Sequence, residues 1–262
     1  MDFRILGPVQ VAGSDGPVAL GGVRERTVLA LLLVHANRVV PVTDLVDALW
    51  PDGPPVTARQ QVQTAVSLLR RTLGDPVRPE GQRRIVTLSP GYLIRVQDGE
   101  LDAGVFTLRV AEARADLATG RADRAAEQLR AALATWRGRA LEGLDAPAIR
   151  GAAAGLDERR MAAAEDLAEA DLAAGRPADV VAEVATLASG YPFRERLRGA
   201  LMLGLYRLGR QAEALGVYRD YRRLLVADLG VEPGHALRDL ERAILRADPA
   251  LLAPAARPVP VG

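Results

Sequence analysis

The chain has 262 residues, long enough for two domains of ordinary size, and its 49% hydrophobic content argues for packed domains over disorder. A formal net charge of +1 excludes a globally basic, histone-like binder but not a locally basic one. Cysteine is absent, which removes disulfides and thiolate metal sites. All 34 basic residues are Arg, so a P-loop and Schiff-base chemistry, which need Lys, are excluded as well.

The opening residues, MDFRILGPVQV, lack the charged-then-apolar layout of a signal peptide. No run of apolar residues is long enough to span a bilayer, so a soluble, cytoplasmic protein with no membrane partner is expected. Residues 24–36 (RERTVLALLLVHA) read as an apolar helix suited to the bottom of a small core. Thr43 is placed to cap a short helix, DLVDALW, that Leu45, Val46, Leu49 and Trp50 anchor. After it come Trp50, Pro51, Asp52, Gly53, Pro54, Pro55 and Val56, a loop longer than the turn of a simple helix-turn-helix.

Residues 57–73 (TARQQVQTAVSLLRRTL) carry the densest signal. Thr57 stands where a cap is wanted and Gln60 follows at capping-box spacing. Val62, Val66, Leu69 and Leu73 recur at helical steps and define a core-facing stripe. The opposite side presents Gln60, Thr64, Ser67, Leu68 and Arg71, side chains able to bond base edges or, for Leu68, to touch a thymine methyl. Arg59, Gln63 and Arg70 flank that stripe, where phosphates would lie, and Gly74 ends the helix. Taken alone, the segment also fits an ordinary amphipathic surface helix.

The loop DPVRPEGQ leads to two β-prone runs, RRIVTL and YLIRV, separated by Ser89-Pro90-Gly91, which is turn chemistry and predicts a hairpin. Over residues 57–95 there are seven Arg against two acids, Asp75 and Glu80. Phosphate neutralisation supplies most sequence-independent DNA affinity, so this local excess matters more than the whole-chain charge.

In FRILGPVQV, LALLLVHANRVV, DLVDALWPDGPPVTAR, AVSLLRRTLG and PGYLIRV the chain resembles the OmpR-type winged helix at the N-terminus of the Streptomyces antibiotic regulatory proteins. The resemblance implies a small sheet before Gly21, a recognition helix at 57–73 in the major groove, and a wing at 83–96 on the neighbouring backbone or minor groove. Arg83, Arg84, Thr87 and Tyr92 would then meet the DNA backbone. It also implies that the 50–56 loop is offered to RNA polymerase, and that the protein's partners include the polymerase holoenzyme with its sigma factor and other subunits. Many relatives carry Arg where this chain has Leu68, so a base preference shifted toward thymine is expected at that step.

From about Leu101 the sequence becomes Ala, Leu, Arg and Glu at helical spacing. Helices are predicted at 103–119, 122–136, 147–174, 178–189, 193–208, 211–229 and 234–246, punctuated by Gly and Pro. Gly175 and Gly209 sit in similar stretches 34 residues apart, the tetratricopeptide period. A third copy at Gly120 lies 55 residues from Gly175 and does not fit that period. ALATWRGRALEGL, LDERRMAAAEDLAEADLAAGR, YPFRERLRGALMLGLYRLGRQAEAL and LGVEPGHALRDLERAIL resemble the bacterial transcriptional activator domain.

The expected architecture is therefore mainly α: a winged helix at 1–97, tetratricopeptide-like repeats at 101–250, and a disordered Pro- and Ala-rich tail at 251–262. Trp136, Tyr191, Tyr206, Tyr218 and Tyr221 could anchor a partner but are read mostly as core, Tyr206 and Tyr218 in particular because they sit amid Leu and Val at helical spacing. His35 and His235 are read as a buried or capping pair of imidazoles, and no Ser or carboxylate constellation converges for catalysis. No enzyme activity, metal or cofactor is expected, and no receiver domain is encoded.

The resemblance implies an activator on promoter DNA, bound as two protomers to direct repeats near a −35 element and regulating a secondary-metabolite cluster. Two alternatives stay open: a helical-repeat scaffold whose winged helix does not bind DNA, and a repressor using the same contacts.

Overall fold

The computed structural model describes residues 1–77 and 79–252. Of the expected tail, Leu251 lies in a short 3-10 turn, Pro249–Leu251, whose last carbonyl accepts from Arg207 Nε. Residues 253–262 lie outside the described residues, as does Arg78. The chain is mainly helical, with two small three-stranded sheets. The described residues condense into two compact units whose seams cross the sequence: Met1–Leu108 with Ala132–Arg160, and Arg109–Ala131 with the described residues from Met161 on.

In the first unit, β1 (Asp2–Arg4), β2 (Gln10–Gly13) and β3 (Gly16–Val18) form an antiparallel meander, the small sheet expected before Gly21. Helix α1 (Val23–Val34) is buried from Thr27 to Leu33, as its unbroken apolar run requires. His35 stands at its C-cap and is exposed, correcting a buried reading and leaving the capping one. Asn37 adopts the left-handed region at φ 63° and exchanges hydrogen bonds with Val96, Nδ2 donating at 2.8 Å and Oδ1 accepting at 3.0 Å. A short polar side chain tolerates that backbone and ties the end of α1 to the residue at the outgoing end of the wing.

Strand β4 (Val40–Pro41) precedes α2 (Val42–Leu49), and α3 spans Ala58–Thr72. The hairpin is β5 (Ile85–Leu88) and β6 (Gly91–Ile94), with β6 central in the order β4-β6-β5. The expected turn is thus Ser89-Pro90, and Gly91 already belongs to the strand. A Cβ there would sit 1.8 Å from the Val40 carbonyl oxygen, so close backbone approach, rather than turn geometry, demands glycine. Thr43 lies inside α2 and bonds Asp44, so it is not the cap expected of it.

Helix α4 (Asp102–Ala118) begins in this unit. Asp102 Oδ1 and Oδ2 accept from Ile5 N at 2.9 and 3.0 Å, and Oδ2 accepts from Leu6 N at 3.0 Å. Three further backbone bonds, Arg137 N to Leu6 O, Leu141 N to Ile5 O and Glu142 N to Gly7 O, strap the chain around residue 140 onto the same segment. Phe106 and Trp136 meet edge to face at 5.5 Å between ring centroids, and the Arg160 guanidinium lies 4.9 Å over Trp136. The 132–160 stretch is therefore built into the core that carries the winged helix.

The second unit repeats one device three times. Helix α5 (Ala122–Leu133), of which Ala122–Ala131 belong here, α6 (Pro147–Ala173), which enters this unit at Met161, α7 (Pro177–Gly190), α8 (Glu195–Arg207) and α9 (Gln211–Leu229) are followed by α10 (His235–Leu245). Gly120, Gly175 and Gly209 close the first helix of successive pairs at φ 75°, 78° and 76°. In each turn the next Arg N–H reaches back to a carbonyl five residues earlier: Arg121 to Asp116, Arg176 to Asp171, Arg210 to Leu205. In the first two, the same Asp also accepts from that Arg's Nε, at 2.6 and 2.9 Å. The Gly120 copy is thus the same turn, and its surplus of 21 residues over the 34-residue period falls in the inserted segment and the lengthened α6. Tyr206, Tyr218 and Tyr221 are buried in this unit's core with Leu201, Met202 and Leu205, and Trp136 is buried in the first unit, while Tyr191 is exposed. His235 is exposed and pairs with Asp239 at 2.7 Å.

Candidate nucleic-acid interface

Helix α3 owes its orientation to the stripe Val62, Val66, Leu69 and Leu73, all buried, together with Ala58 and Ala65. Burial of such side chains is worth about 1.5–3 kcal/mol each, which decides which face turns inward. The remaining face is left to solvent. Its start differs from expectation: Thr57 makes no side-chain bond to the backbone, and its Oγ1 instead accepts from Gln61 Nε2 at 2.9 Å. Gln60 is free of any capping role and exposed. Gly74, at φ 72°, follows the C-cap Leu73.

Gln60, Gln63, Thr64, Ser67 and Arg71 lie exposed on the outer side, with Arg59 on the first turn and Leu68 half-buried. The hydroxyls of Thr64 and Ser67 donate to the Gln60 and Gln63 carbonyls at 3.0 and 2.8 Å. With their hydrogens so placed, both oxygens face outward as acceptors, suited to the amino groups of cytosine or adenine. Among the described residues, Arg59, Arg71 and Arg83 are exposed and have neither an acid nor a hydrogen-bond partner.

Three of the expected backbone contacts take other places. Arg84 is only 12% exposed and forms a bidentate pair with Glu100, Nη2 to Oε1 at 2.6 Å and Nη1 to Oε2. Its charge is neutralised by an internal carboxylate, unlike the exposed Arg59, Arg71 and Arg83. Burial pushes the Glu100 carboxyl up, but bonds from Arg84, the Gln97 N–H and the terminal ammonium hold its pKa down at about 2. Tyr92 is buried, with its ring beneath the Arg70 guanidinium at 5.9 Å, so it supports the wing rather than projecting from it. Arg70 donates from Nε to the Ile85 carbonyl at 3.1 Å and from Nη2 to Thr87 Oγ1 at 2.7 Å. Thr87 itself is exposed.

Asp75, counted by sequence only as one of two acids, turns out to anchor the hairpin. It is buried, and its two oxygens accept from Arg84 N at 2.7 Å and Ile85 N at 2.8 Å. The signal was there: an Asp directly after a helix-ending glycine, followed by Pro. In the loop at 50–56, Trp50 is half-buried with Arg24 5.6 Å over its ring, and Pro51, Asp52, Gly53, Pro54, Pro55 and Val56 are exposed. Among the described residues, no cluster of His, Cys, Asp and Glu could hold a metal ion, and no helix is long and apolar enough to cross a membrane.

A short helix, a long turn, a helix with a polar and cationic outer face, and a hairpin pinned beside it define the winged helix-turn-helix class of transcriptional regulator. Residues 17–94 match the family described as "Transcriptional regulatory protein, C terminal", and residues 101–245 match "Bacterial transcriptional activator domain". The chain belongs to the Streptomyces antibiotic regulatory protein family, which joins these two domains. It is 38% identical to the transcriptional regulator RedD of Streptomyces coelicolor over 98% of its own length and 73% of that protein. To the regulatory protein AfsR of Streptomyces griseus it is also 38% identical, over 98% of this chain but only 26% of that longer relative. The solved structure of Mycobacterium tuberculosis EmbR in complex with a low-affinity phosphopeptide superposes with a TM-score of 0.90 at 38% identity, covering 95% of this chain and 65% of that one.

Proposed function

We propose that this chain is a sequence-specific DNA-binding transcriptional activator, acting in the cytoplasm on the promoters of a secondary-metabolite gene cluster. The observation that carries the reading is the outer face of α3: a polar stripe of Gln60, Gln63, Thr64 and Ser67 bordered by Arg59 and Arg71, with Arg83 at the base of the wing, all exposed and un-neutralised. Neutralising phosphates with such side chains releases condensed counterions and gives affinity, while the polar stripe supplies discrimination between bases. The 1–97 segment is the DNA-reading domain and 101–250 the activator domain. Two protomers occupy direct repeats near a −35 element, and the 50–56 loop meets RNA polymerase holoenzyme. The protein works without a cofactor and is not an enzyme.

The test is binding of the full chain to a promoter fragment over a range of salt. Arg71→Ala and Arg83→Ala should each weaken binding and flatten the dependence of log K on log salt by about 0.9 per lost phosphate contact. Unchanged affinity and slope in both would sink the reading and leave the helical-repeat scaffold as its replacement. In transcription with purified polymerase, an activator raises transcript yield, and a repressor only lowers it.

A further inference from the structure

We infer that Arg70 is a positioning residue: it does not hold a phosphate but fixes the wing at its place beside the recognition helix, and so sets whether Arg83 and Thr87 reach DNA. The inference rests on the DNA-binding reading above and concerns how that site is assembled.

Three contacts on one guanidinium carry it. Nε donates to the Ile85 carbonyl at 3.1 Å, Nη2 donates to Thr87 Oγ1 at 2.7 Å, and the planar group lies over the Tyr92 ring at 5.9 Å. Ile85 and Thr87 lie on β5, and Tyr92 lies on β6, paired with Thr87 across the hairpin and with Val40 on its other side. One side chain of α3 therefore grips both strands of the wing. The arrangement uses what is particular to Arg: a rigid fork with donors in fixed directions and a face that stacks on an aromatic ring. Lys could supply the charge but not the fork.

The neighbours make the division of labour explicit. Arg71, the next residue, faces solvent with no partner among the described residues, and Arg83 does likewise at the base of the hairpin. Arg70 alone of these is half-buried and committed to protein acceptors. Turning its donors to a phosphate would mean releasing Ile85 O and Thr87 Oγ1, and with them the wing.

The experiment uses the full chain and a duplex that the wild-type protein selects from a pool of randomised duplexes. Affinity, salt slope and hydroxyl-radical protection are measured for Arg70→Lys, Arg83→Ala and the double variant. Arg70→Lys keeps the charge and loses the fork. A positioning role predicts an affinity loss of about tenfold or more, with protection on the wing side lost and protection from α3 retained. It further predicts that Arg83→Ala costs far less in the Lys background than in the wild type, the mark of coupled sites.

A phosphate-holding role predicts the reverse: Arg70→Lys within about twofold of wild type with the wing footprint intact, and the two substitutions additive. Either of those results overturns the inference. Amide hydrogen exchange on the free protein gives an independent reading. Residues 85–94 should exchange faster in Arg70→Lys while the amides of α1 do not, and unchanged wing protection would refute the strut even if the wild-type protein selected no duplex. That last outcome would count against DNA binding itself.

Discussion

Replacing Asp75 by Ala is expected to destabilise the first unit more than any single substitution on the exposed face of α3. The carboxylate is 1% exposed and receives two backbone donors, Arg84 N at 2.7 Å and Ile85 N at 2.8 Å. Charge-assisted bonds of this length contribute about 1.5–3 kcal/mol each, and a stranded N–H costs about 1–3 kcal/mol. Relief from burying a charge offsets part of the sum, which leaves a net loss of about 3 kcal/mol. Asp75→Asn keeps one acceptor and turns an amide N–H toward the second donor, so it should fall between Ala and wild type. Both tryptophans, Trp50 and Trp136, belong to the first unit, so urea unfolding followed by their fluorescence reports that unit. A loss below about 0.5 kcal/mol for Asp75→Ala would mean that the hairpin does not depend on this carboxylate, and the reasoning would fail.

Other expectations concern the same region. Lowering the pH should loosen the junction at Glu100: its folded pKa is about 2 against an ordinary 4.5, so its contribution is full above the unfolded value and is lost as pH falls from about 4.5 toward 2. Acid titration by tryptophan fluorescence should show this step, and Glu100→Gln should abolish it. Gly91→Ala places a methyl 1.8 Å from the Val40 carbonyl oxygen, so β4 must part from β6. A thermal melt should fall by several degrees, and an unaltered melt would disprove the close approach. Leu68→Arg should change the base preferred at one step of a selected duplex, and an identical selection would show that this side chain does not face the bases.

The periodic parts of the fold were legible because each is dictated by local chemistry. The stripe Val62-Val66-Leu69-Leu73 needed only the helical repeat, and the ends of α9 at Gln211 and Leu229 followed from their flanking glycines. Caps were less legible: Thr43 and Thr57 have the right side chain, but neither bonds the backbone of its helix, because helix starts depend on the backbone that arrives there. Among the site residues, exposure separated those that sequence treated alike. Arg70, Arg71 and Arg84 are one residue type in one basic stretch, and only tertiary partners, Thr87 for the first and Glu100 for the last, distinguish them. Glu100 lies 16 residues from Arg84, beyond the reach of any local pattern. The Gly120 repeat was visible as wording and obscured as spacing, since an inserted segment had moved it out of period.

That inserted segment places the boundary between inherited modules and the boundary between folded bodies in different positions. The matched families part between residues 94 and 101, yet the body that carries the winged helix also takes in Ala132–Arg160. A ribosome must release the chain as far as Arg160 before this body has all its pieces, so the DNA-reading end cannot finish folding at the family seam, when only the matched winged-helix residues have emerged. Recombination at the family seam would join a winged helix to a strap shaped for another one, with Ile5, Leu6 and Gly7 meeting unfamiliar partners. For a chimera to inherit one regulator's DNA preference intact, the exchange must carry residues 132–160 along with the winged helix itself.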